Sequence, residues 1–163
     1  MARALIVGCG CRGRELGVEL ARRRWRVRGT TRTQAGLAAI DGEGLEPAIA
    51  DPERPATVLD HAGDVAVVLW LLGSAHGEPE LIEAIHGPRL ERLLEKLVDS
   101  PVRGFAYEAT GEVEAGVLGA GREIVERAAQ TWRIPVAMLE HERSDPGWAS
   151  ATADSVERLL GDR

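Results

Sequence analysis

Short apolar runs alternate with longer amphipathic segments along the chain, and turn-forming residues separate them. The apolar runs predict six strands, at residues 4–8, 26–30, 45–50, 65–72, 103–110 and 134–140. The amphipathic segments predict six helices, at residues 12–23, 33–40, 54–61, 78–100, 115–132 and 148–160. Pro52, Pro55, Pro101 and Pro135 lie at boundaries of these segments, where a missing backbone N–H does least harm. The repeated strand–helix order predicts an α/β fold.

Two of the predicted strands are apolar on both faces. They read "VAVVLWLL" and "GFAYEA", without the polar alternation of a strand that has one face in water. Such runs are typical of parallel strands that helices cover on both sides. Six strand–helix units predict a three-layer, doubly wound Rossmann fold with a six-stranded parallel sheet in the order 3-2-1-4-5-6. We expect residues 1–163 to form one domain, because the sixth unit leaves no room for a separate substrate domain.

The charge of the chain narrows its expected partners. The 163 residues carry a net charge of −6, and 44% of them are hydrophobic. A protein that binds nucleic acid or anionic membranes needs a positive face, so neither partner is expected.

No apolar run reaches the length of a membrane span and the N-terminus does not resemble a signal peptide, so we expect a cytoplasmic protein. Cys9 and Cys11 lack a second pair of ligands, so we expect no metal site.

A glycine-rich turn follows the first predicted strand. Its sequence GCGCRG has the spacing G-x-G-x-x-G and lies between a strand and a helix, as in dinucleotide-binding folds. Gly8 would let the strand turn sharply, Gly10 would leave room for a pyrophosphate, and Gly13 would let the helix lie close to the sheet. A tight turn without a ligand is the alternative, but this context favours a dinucleotide site.

The end of the second predicted strand bears on the choice of dinucleotide. NAD-binding proteins place an acidic residue about 20 residues after the glycine turn, where it binds the ribose 2′-hydroxyl. The corresponding residues here are Thr30, Thr31 and Arg32, none of which is a carboxylate. An arginine beside hydroxyl groups suits a 2′-phosphate, and Arg12 in the glycine turn is a second candidate for that contact. The pattern favours NADP(H) over NAD(H), with solvated surface arginines as the alternative.

The segment "LIVGCGCRGRELGVELARRRWRVRGTTR" resembles atypical and extended short-chain dehydrogenase/reductases, the group that is similar to NAD-dependent epimerases and dehydratases. The resemblance continues in "IADPERP" and "HGPRLERLLEKLVDSPVRGFAYEATGEV" and covers most of residues 3–140. It implies that Asp51 lies near the adenine amino group. It also implies that Leu72, Gly73 and Ser74 pass beside the ribose and the nicotinamide, and Cys11 in the glycine turn joins the cofactor-binding candidates.

The same resemblance implies a catalytic pair that this chain lacks. The family uses Tyr-x-x-x-Lys on the helix after the fifth strand, where a tyrosinate exchanges a proton with the substrate. The corresponding segment "GEVEAGVLGAGREIV" contains neither residue, and the single tyrosine and single lysine, Tyr107 and Lys96, stand in the wrong order. We expect Tyr107 to be a core aromatic residue with a bonded hydroxyl group. Thr110 occupies the position of the family's Ser or Thr and is a candidate to bind a substrate carbonyl.

Further residues are candidates for proton transfer. Glu108 is a carboxylate in an otherwise apolar strand, so it is either an acid/base or the partner of an arginine. His76 follows the fourth strand and is the best-placed remaining proton donor, with an exposed loop histidine as the alternative. His141 is a more distant candidate. His61 and His86 are expected on helix surfaces.

Two functions of different classes fit these residues. One is a small NADPH-dependent reductase, acting on a substrate that the sequence does not name, in which hydride transfer depends on binding and orientation. The other is a non-catalytic, dinucleotide-sensing binding module. The helix predicted at residues 78–100 also has more apolar positions than one contact with the sheet needs, which suggests a homodimer. These positions are Ile82, Ile85, Leu90, Leu93, Leu94 and Leu97.

Overall fold

The strands form one parallel sheet. A computed structural model describes residues 1–161. Its strands are β1 (Arg3–Val7), β2 (Arg26–Thr31), β3 (Glu46–Ile49), β4 (Val67–Trp70), β5 (Gly104–Glu108) and β6 (Val136–Leu139). They lie in the order β3-β2-β1-β4-β5-β6, and every neighbouring pair is parallel. The predicted fold class and strand order are therefore confirmed. Most strands are shorter than the apolar runs, because those runs continue into the adjoining loops.

Helices cover both faces of the sheet. They are α1 (Cys11–Arg22), α2 (Gln34–Gly42), α3 (Pro55–Leu59), α4 (Pro79–Ile85), α5 (Pro88–Leu97), α6 (Ala115–Trp132) and α7 (Trp148–Gly161). Helices α1 and α7 pack together on one face, and α3, α5 and α6 pack on the other. The winding direction reverses between β1 and β4, which leaves a crevice beyond the carboxyl ends of those strands.

The single helix predicted at residues 78–100 is wrong, because the structure has two helices there, α4 and α5. The break lies at Gly87, whose φ of −133° and ψ of −114° are not helical. Pro88 follows it and has no N–H to continue the α4 hydrogen-bond ladder, so it begins a new helix instead. The chain changes direction at this point and brings the end of α4 over the sheet.

The two central strands are buried along their whole length. Every residue of β4 and β5 is buried, as their largely apolar sequences predict. Alternate residues face the two helical layers, so Trp70 and Phe105 belong to one apolar core and Leu69 and Ala106 to the other. The indole N–H of Trp70 donates to the backbone carbonyl of Ile85 (3.0 Å). This bond ties the end of α4 to the middle of the sheet.

The apolar side chains of α4 and α5 bear on the homodimer expectation. Most of them are buried within the protomer, against α3, α6 and the sheet. They do not form an exposed apolar face that would argue for a second copy. The homodimer stays a prediction, without the support that the sequence pattern suggested. The buried residues are Ile85, Leu90, Leu93, Leu94 and Leu97.

Candidate functional site

A cleft of about 320 Å³ opens at the carboxyl edge of the sheet. Its walls come from the glycine turn after β1, the ends of β2, β3 and β4, helix α4, and the loop after β6. It therefore lies where the winding direction of the sheet reverses, which is where doubly wound folds bind ligands. Three arginines and one aspartate line the cleft, and they are Arg14, Arg32, Arg143 and Asp51.

The glycine turn packs closely against its neighbours at Gly8 and Gly13 and is open at Gly10. Gly8 has a φ of +89°, and a Cβ there would lie 2.5 Å from the carbonyl oxygen of Leu71. A Cβ on Gly13 would lie 2.8 Å from the carbonyl oxygen of Gly8, so α1 approaches β1 more closely than a side chain would allow. A Cβ on Gly10 would meet nothing within 4 Å, which leaves open space before the N-terminus of α1. The first N–H groups of a helix have no partner within it and attract anions.

The end of β2 forms the next wall. Thr30 is buried, and its backbone carbonyl accepts the N–H of Cys9 (3.1 Å), which holds the glycine turn against β2. Thr31 and Arg32 line the cleft, and Arg32 is exposed. Thr33 caps α2 by accepting the backbone N–H of Gly36 (3.0 Å). A hydroxyl, a guanidinium and a helix N-terminus therefore lie together at this rim.

Asp51 lies beyond the end of β3, half-buried in the cleft wall. Its Oδ1 accepts the backbone N–H of Glu53 (2.9 Å), which fixes the orientation of the carboxylate. Thr57 exchanges hydrogen bonds with the backbone of Asp51 and holds the loop to α3. The second carboxylate oxygen has no hydrogen-bond donor among residues 1–161 and is available to a ligand.

The loop after β4 supplies the opposite wall. Leu72 and Ser74 line the cleft, whereas Gly73 is buried behind them. The backbone N–H of Gly73 donates to Glu108 Oε1 (2.8 Å), and a Cβ on Gly73 would meet the backbone oxygen of Thr110. Gly73 therefore permits close packing of the loops after β4 and β5. His76 lies at the outer rim with 83% of its side chain exposed, and its Nε2 is 3.5 Å from Oε2 of Glu112.

Several predicted site residues lie outside the cleft lining. Arg12 points away and pairs with Glu15 (2.7 Å), while Cys11 is exposed on the neighbouring surface. Arg14, one helical turn after Gly10, faces the cleft in place of Arg12. Gly13 lies beneath the turn and Gly73 behind the cleft wall. The hydroxyl of Thr110 donates to Glu142 (2.7 Å), away from the cleft.

Glu108 forms an ion pair at the base of the site. Its side chain is 1% exposed, and its two oxygens accept the Nε–H and Nη2–H groups of Arg143, both at 2.8 Å. Oε1 also accepts the N–H of Gly73, so the carboxylate has three donors. Of the two alternatives that the sequence left open for Glu108, these contacts match the arginine partner. Arg143 follows β6 and is a site residue that the sequence patterns did not reveal.

The prediction that His86 lies on a helix surface is wrong, since only 1% of the residue is exposed. The break between α4 and α5 turns His86 inward, where Nε2 lies 2.9 Å from the backbone oxygen of Leu72 and Nδ1 lies 2.8 Å from the Tyr107 hydroxyl. Tyr107 is a buried core residue with a bonded hydroxyl, as predicted. Burial lowers the pKa of His86, because the charged imidazolium would lose its hydration, and raises the pKa of Tyr107.

The remaining titratable residues do not suggest metal or thiol chemistry. Cys9 is buried beneath the glycine turn, and this burial raises the pKa of its thiol to about 12. A thiol with so high a pKa is a poor nucleophile at neutral pH. Within residues 1–161, no group of three or more histidine, cysteine, aspartate or glutamate side chains is placed to hold a metal ion. None of the helices in the same range combines the length and apolarity that a membrane crossing requires.

Solved structures share this fold at low sequence identity. Triphenylmethane reductase from Citrobacter sp., in a crystal structure complexed with NADP(H), has a TM-score of 0.62 and 19% identity over 85% of this chain and 49% of that one. Vestitone reductase from alfalfa has a TM-score of 0.64 and 16% identity over 85% and 56%. UDP-N-acetylglucosamine 4-epimerase from Bacillus cereus has a TM-score of 0.71 and 13% identity over 99% and 74%.

These likenesses show the fold that the short-chain dehydrogenase/reductase resemblance implies. The chain spans about half the length of the two reductases, at 49% and 56%. Comparison with protein-family models finds no match, and neither does comparison with curated protein sequences. The shared fold and the cleft geometry are therefore the basis for a functional proposal.

Proposed function

We propose that the cleft binds NADP(H) and that the chain is a Rossmann domain of the short-chain dehydrogenase/reductase type. The observation that carries the proposal is that the glycine turn and Arg32 line one cleft at the switch point of the sheet. The turn suits a pyrophosphate and Arg32 suits a phosphate on the adenosine ribose, so they fit two parts of the same ligand. The fold likeness to a reductase that was crystallised with NADP(H) supports this reading.

Arg32 and Thr31 suit the 2′-phosphate that distinguishes NADP(H) from NAD(H). No carboxylate within residues 1–161 pairs with Arg32, whose guanidinium is exposed at the rim of the cleft. The N-terminal end of α2 begins two residues later and carries partial positive charge. An acidic residue at this position would bind a free 2′-hydroxyl and repel the phosphate, and this chain has none there.

The other walls of the cleft suit the rest of the ligand. The free oxygen of Asp51 would accept a hydrogen bond from the adenine amino group, and Leu72 and Ser74 in the opposite wall would lie beside the ribose and the nicotinamide. The open space at Gly10 would hold the pyrophosphate against the first N–H groups of α1. The residues present therefore fit a dinucleotide.

The chemistry that this site supports is reduction with little proton transfer from the protein. Bound NADPH supplies a hydride. Tyr107 is buried in the core and Lys96 is exposed on α5, so they form no tyrosinate–lysine pair. Glu108 is held by its ion pair and the Thr110 hydroxyl is bonded to Glu142 away from the cleft, which leaves His76 as the candidate for contact with a substrate. We propose a reductase for acceptors that need little protonation, such as quinones or flavins, and expect no appreciable alcohol dehydrogenase activity.

The deciding experiment is titration calorimetry with NADPH, NADP⁺, NADH and NAD⁺. We expect NADPH and NADP⁺ to bind more tightly than their unphosphorylated counterparts, and Arg32→Asp to reverse or abolish the preference. The matched control is Arg26→Asp, which makes the same charge change at the opposite end of β2. That variant should keep the wild-type preference.

Equal affinity of the wild type for NADPH and NADH would refute the role of Arg32. An absence of binding by all four nucleotides would refute the proposed function as a whole. Rapid NADP⁺-dependent oxidation of a secondary alcohol would show that the site has a proton acceptor that the structure does not reveal.

A further inference from the structure

Arg143 is fixed beside the glycine turn by contacts from two parts of the sheet edge. Its Nε and Nη2 groups donate to Glu108 at the end of β5, and Nη2 also donates to the backbone oxygen of Leu71 (3.3 Å). The same Leu71 oxygen lies 2.5 Å from where a Cβ on Gly8 would be. The guanidinium therefore lies next to the turn that faces the cleft.

These contacts leave part of the guanidinium free. An arginine side chain has five N–H donors, and the bonds to Glu108 and Leu71 use three of them. The two N–H groups of Nη1 have no hydrogen-bond acceptor within residues 1–161. The side chain is 25% exposed, and the residue lines the cleft together with Gly10 and Arg14. Two donors are thus available on a residue of the cleft wall.

The position of this guanidinium is set before any ligand arrives. Glu108 is buried and holds it with two parallel bonds, and the ring of Trp148 lies 5.9 Å from the guanidinium carbon. A side chain that is already ordered loses little conformational entropy when it binds a ligand. The planar fork of arginine also matches the oxygens of a phosphate group, which the point charge of a lysine does not.

We propose that Arg143 binds the pyrophosphate of the dinucleotide through Nη1, with Glu108 as the residue that positions it. This inference rests on the proposed function and extends the pyrophosphate site from the glycine turn to the loop after β6. Arg14 lines the same end of the cleft and adds positive charge that no carboxylate within the described residues neutralises. Because Glu108 balances the charge of Arg143, Arg143 acts mainly through directed hydrogen bonds.

The test separates the phosphate groups of the ligand by using fragments. Calorimetry measures the affinities of NADPH, 2′-phospho-ADP-ribose, which keeps the pyrophosphate, and adenosine 2′-monophosphate, which lacks it. The variant is Glu108→Gln with Arg143→Gln, because this double change leaves no buried charge without a partner. We expect it to weaken NADPH and 2′-phospho-ADP-ribose by about 10-fold or more, the loss of one or two bonds to a charged group. Adenosine 2′-monophosphate should bind within about twofold of the wild-type affinity.

A matched control is Arg122→Gln, since Arg122 is an ion-paired arginine on α6 outside the cleft. It should leave all three affinities unchanged. Unchanged affinities in the double variant would overturn the proposal, and so would an equal loss for all three ligands, because that would show an effect through the fold alone. If the double variant does not fold, Arg143→Lys replaces it, since an ammonium can pair with Glu108 but has no Nη1. That variant should also bind NADPH and 2′-phospho-ADP-ribose more weakly and leave the affinity for adenosine 2′-monophosphate unchanged. A wild type that binds none of the ligands would instead refute the proposed function.

Discussion

The ion pair between Glu108 and Arg143 makes a quantitative prediction about stability. Arg143→Gln would remove the charged partner of the Glu108 carboxylate, whose side chain is only 1% exposed. The Gly73 N–H would be its remaining hydrogen-bond donor. Removing one partner of a buried ion pair typically costs about 3–5 kcal/mol of unfolding free energy. For a chain of this size, we expect the melting temperature to fall by roughly 6–20 °C, at about 2–4 °C for each kcal/mol.

Glu108→Gln should cost less. The amide oxygen can still accept the Gly73 N–H, and the freed guanidinium of Arg143 is 25% exposed and can reach water. The unfolding free energy should then fall only by the contribution of the charge-assisted hydrogen bonds, about 1.5–3 kcal/mol. The double variant should be less destabilised than Arg143→Gln alone, because no buried charge remains without a partner. The two substitutions are therefore expected to be strongly non-additive.

The assay is urea unfolding of the wild type, both single variants and the double variant, followed by circular dichroism and by tryptophan fluorescence. Trp148, one of the four tryptophans of the chain, is buried near the guanidinium and contributes to the fluorescence signal. Effects that add within about 0.5 kcal/mol would refute the reasoning, because they would mean that the two side chains do not interact. A smaller effect of Arg143→Gln than of Glu108→Gln would refute the argument from burial.

Three further predictions concern single positions. Gly10→Val should abolish NADPH binding in calorimetry while the melting temperature stays close to that of the wild type, because the space before Gly10 is empty of protein atoms. Gly121→Ala should lower the unfolding free energy by about 1–3 kcal/mol, because the new methyl group would overlap the Tyr107 hydroxyl; a Gly119→Ala control, in open space, should not. Burial lowers the folded-state pKa of His86, so its contribution to the unfolding free energy should be present above the unfolded-state pKa of histidine and be lost as the pH falls below it. His86→Gln should flatten this slope between about pH 5 and pH 7, and an unchanged slope would contradict the assignment.

The sequence alone determined most of the local structure; the exception is the break that divides the helix predicted at residues 78–100. Strands and helices follow from the spacing of apolar residues, which depends only on the period of each element. The glycine turn could be recognised because its close packing needs glycines at fixed offsets, since a Cβ on Gly8 or Gly13 would overlap a backbone oxygen. The lack of a tyrosine–lysine pair after the fifth strand was also evident, since that segment contains neither residue.

The tertiary structure alone decided which polar side chains meet. Arg143 and Glu108 are 35 residues apart, Glu108 at the end of β5 and Arg143 after β6, so no local pattern joins them. They meet because parallel strands end at the same edge of the sheet. The choice of Arg14 over Arg12 likewise depended on which face of α1 turns toward the cleft.

The burial of His86 shows the same limit. Its neighbours in sequence are those of a helix end, and only the break at Gly87 turns it into the core. The apolar face of α5 was evident from the sequence, but what covers it was not. Periodicity shows that a face is apolar, whereas its partner depends on contacts between elements that are distant in the chain, here α3 and α6.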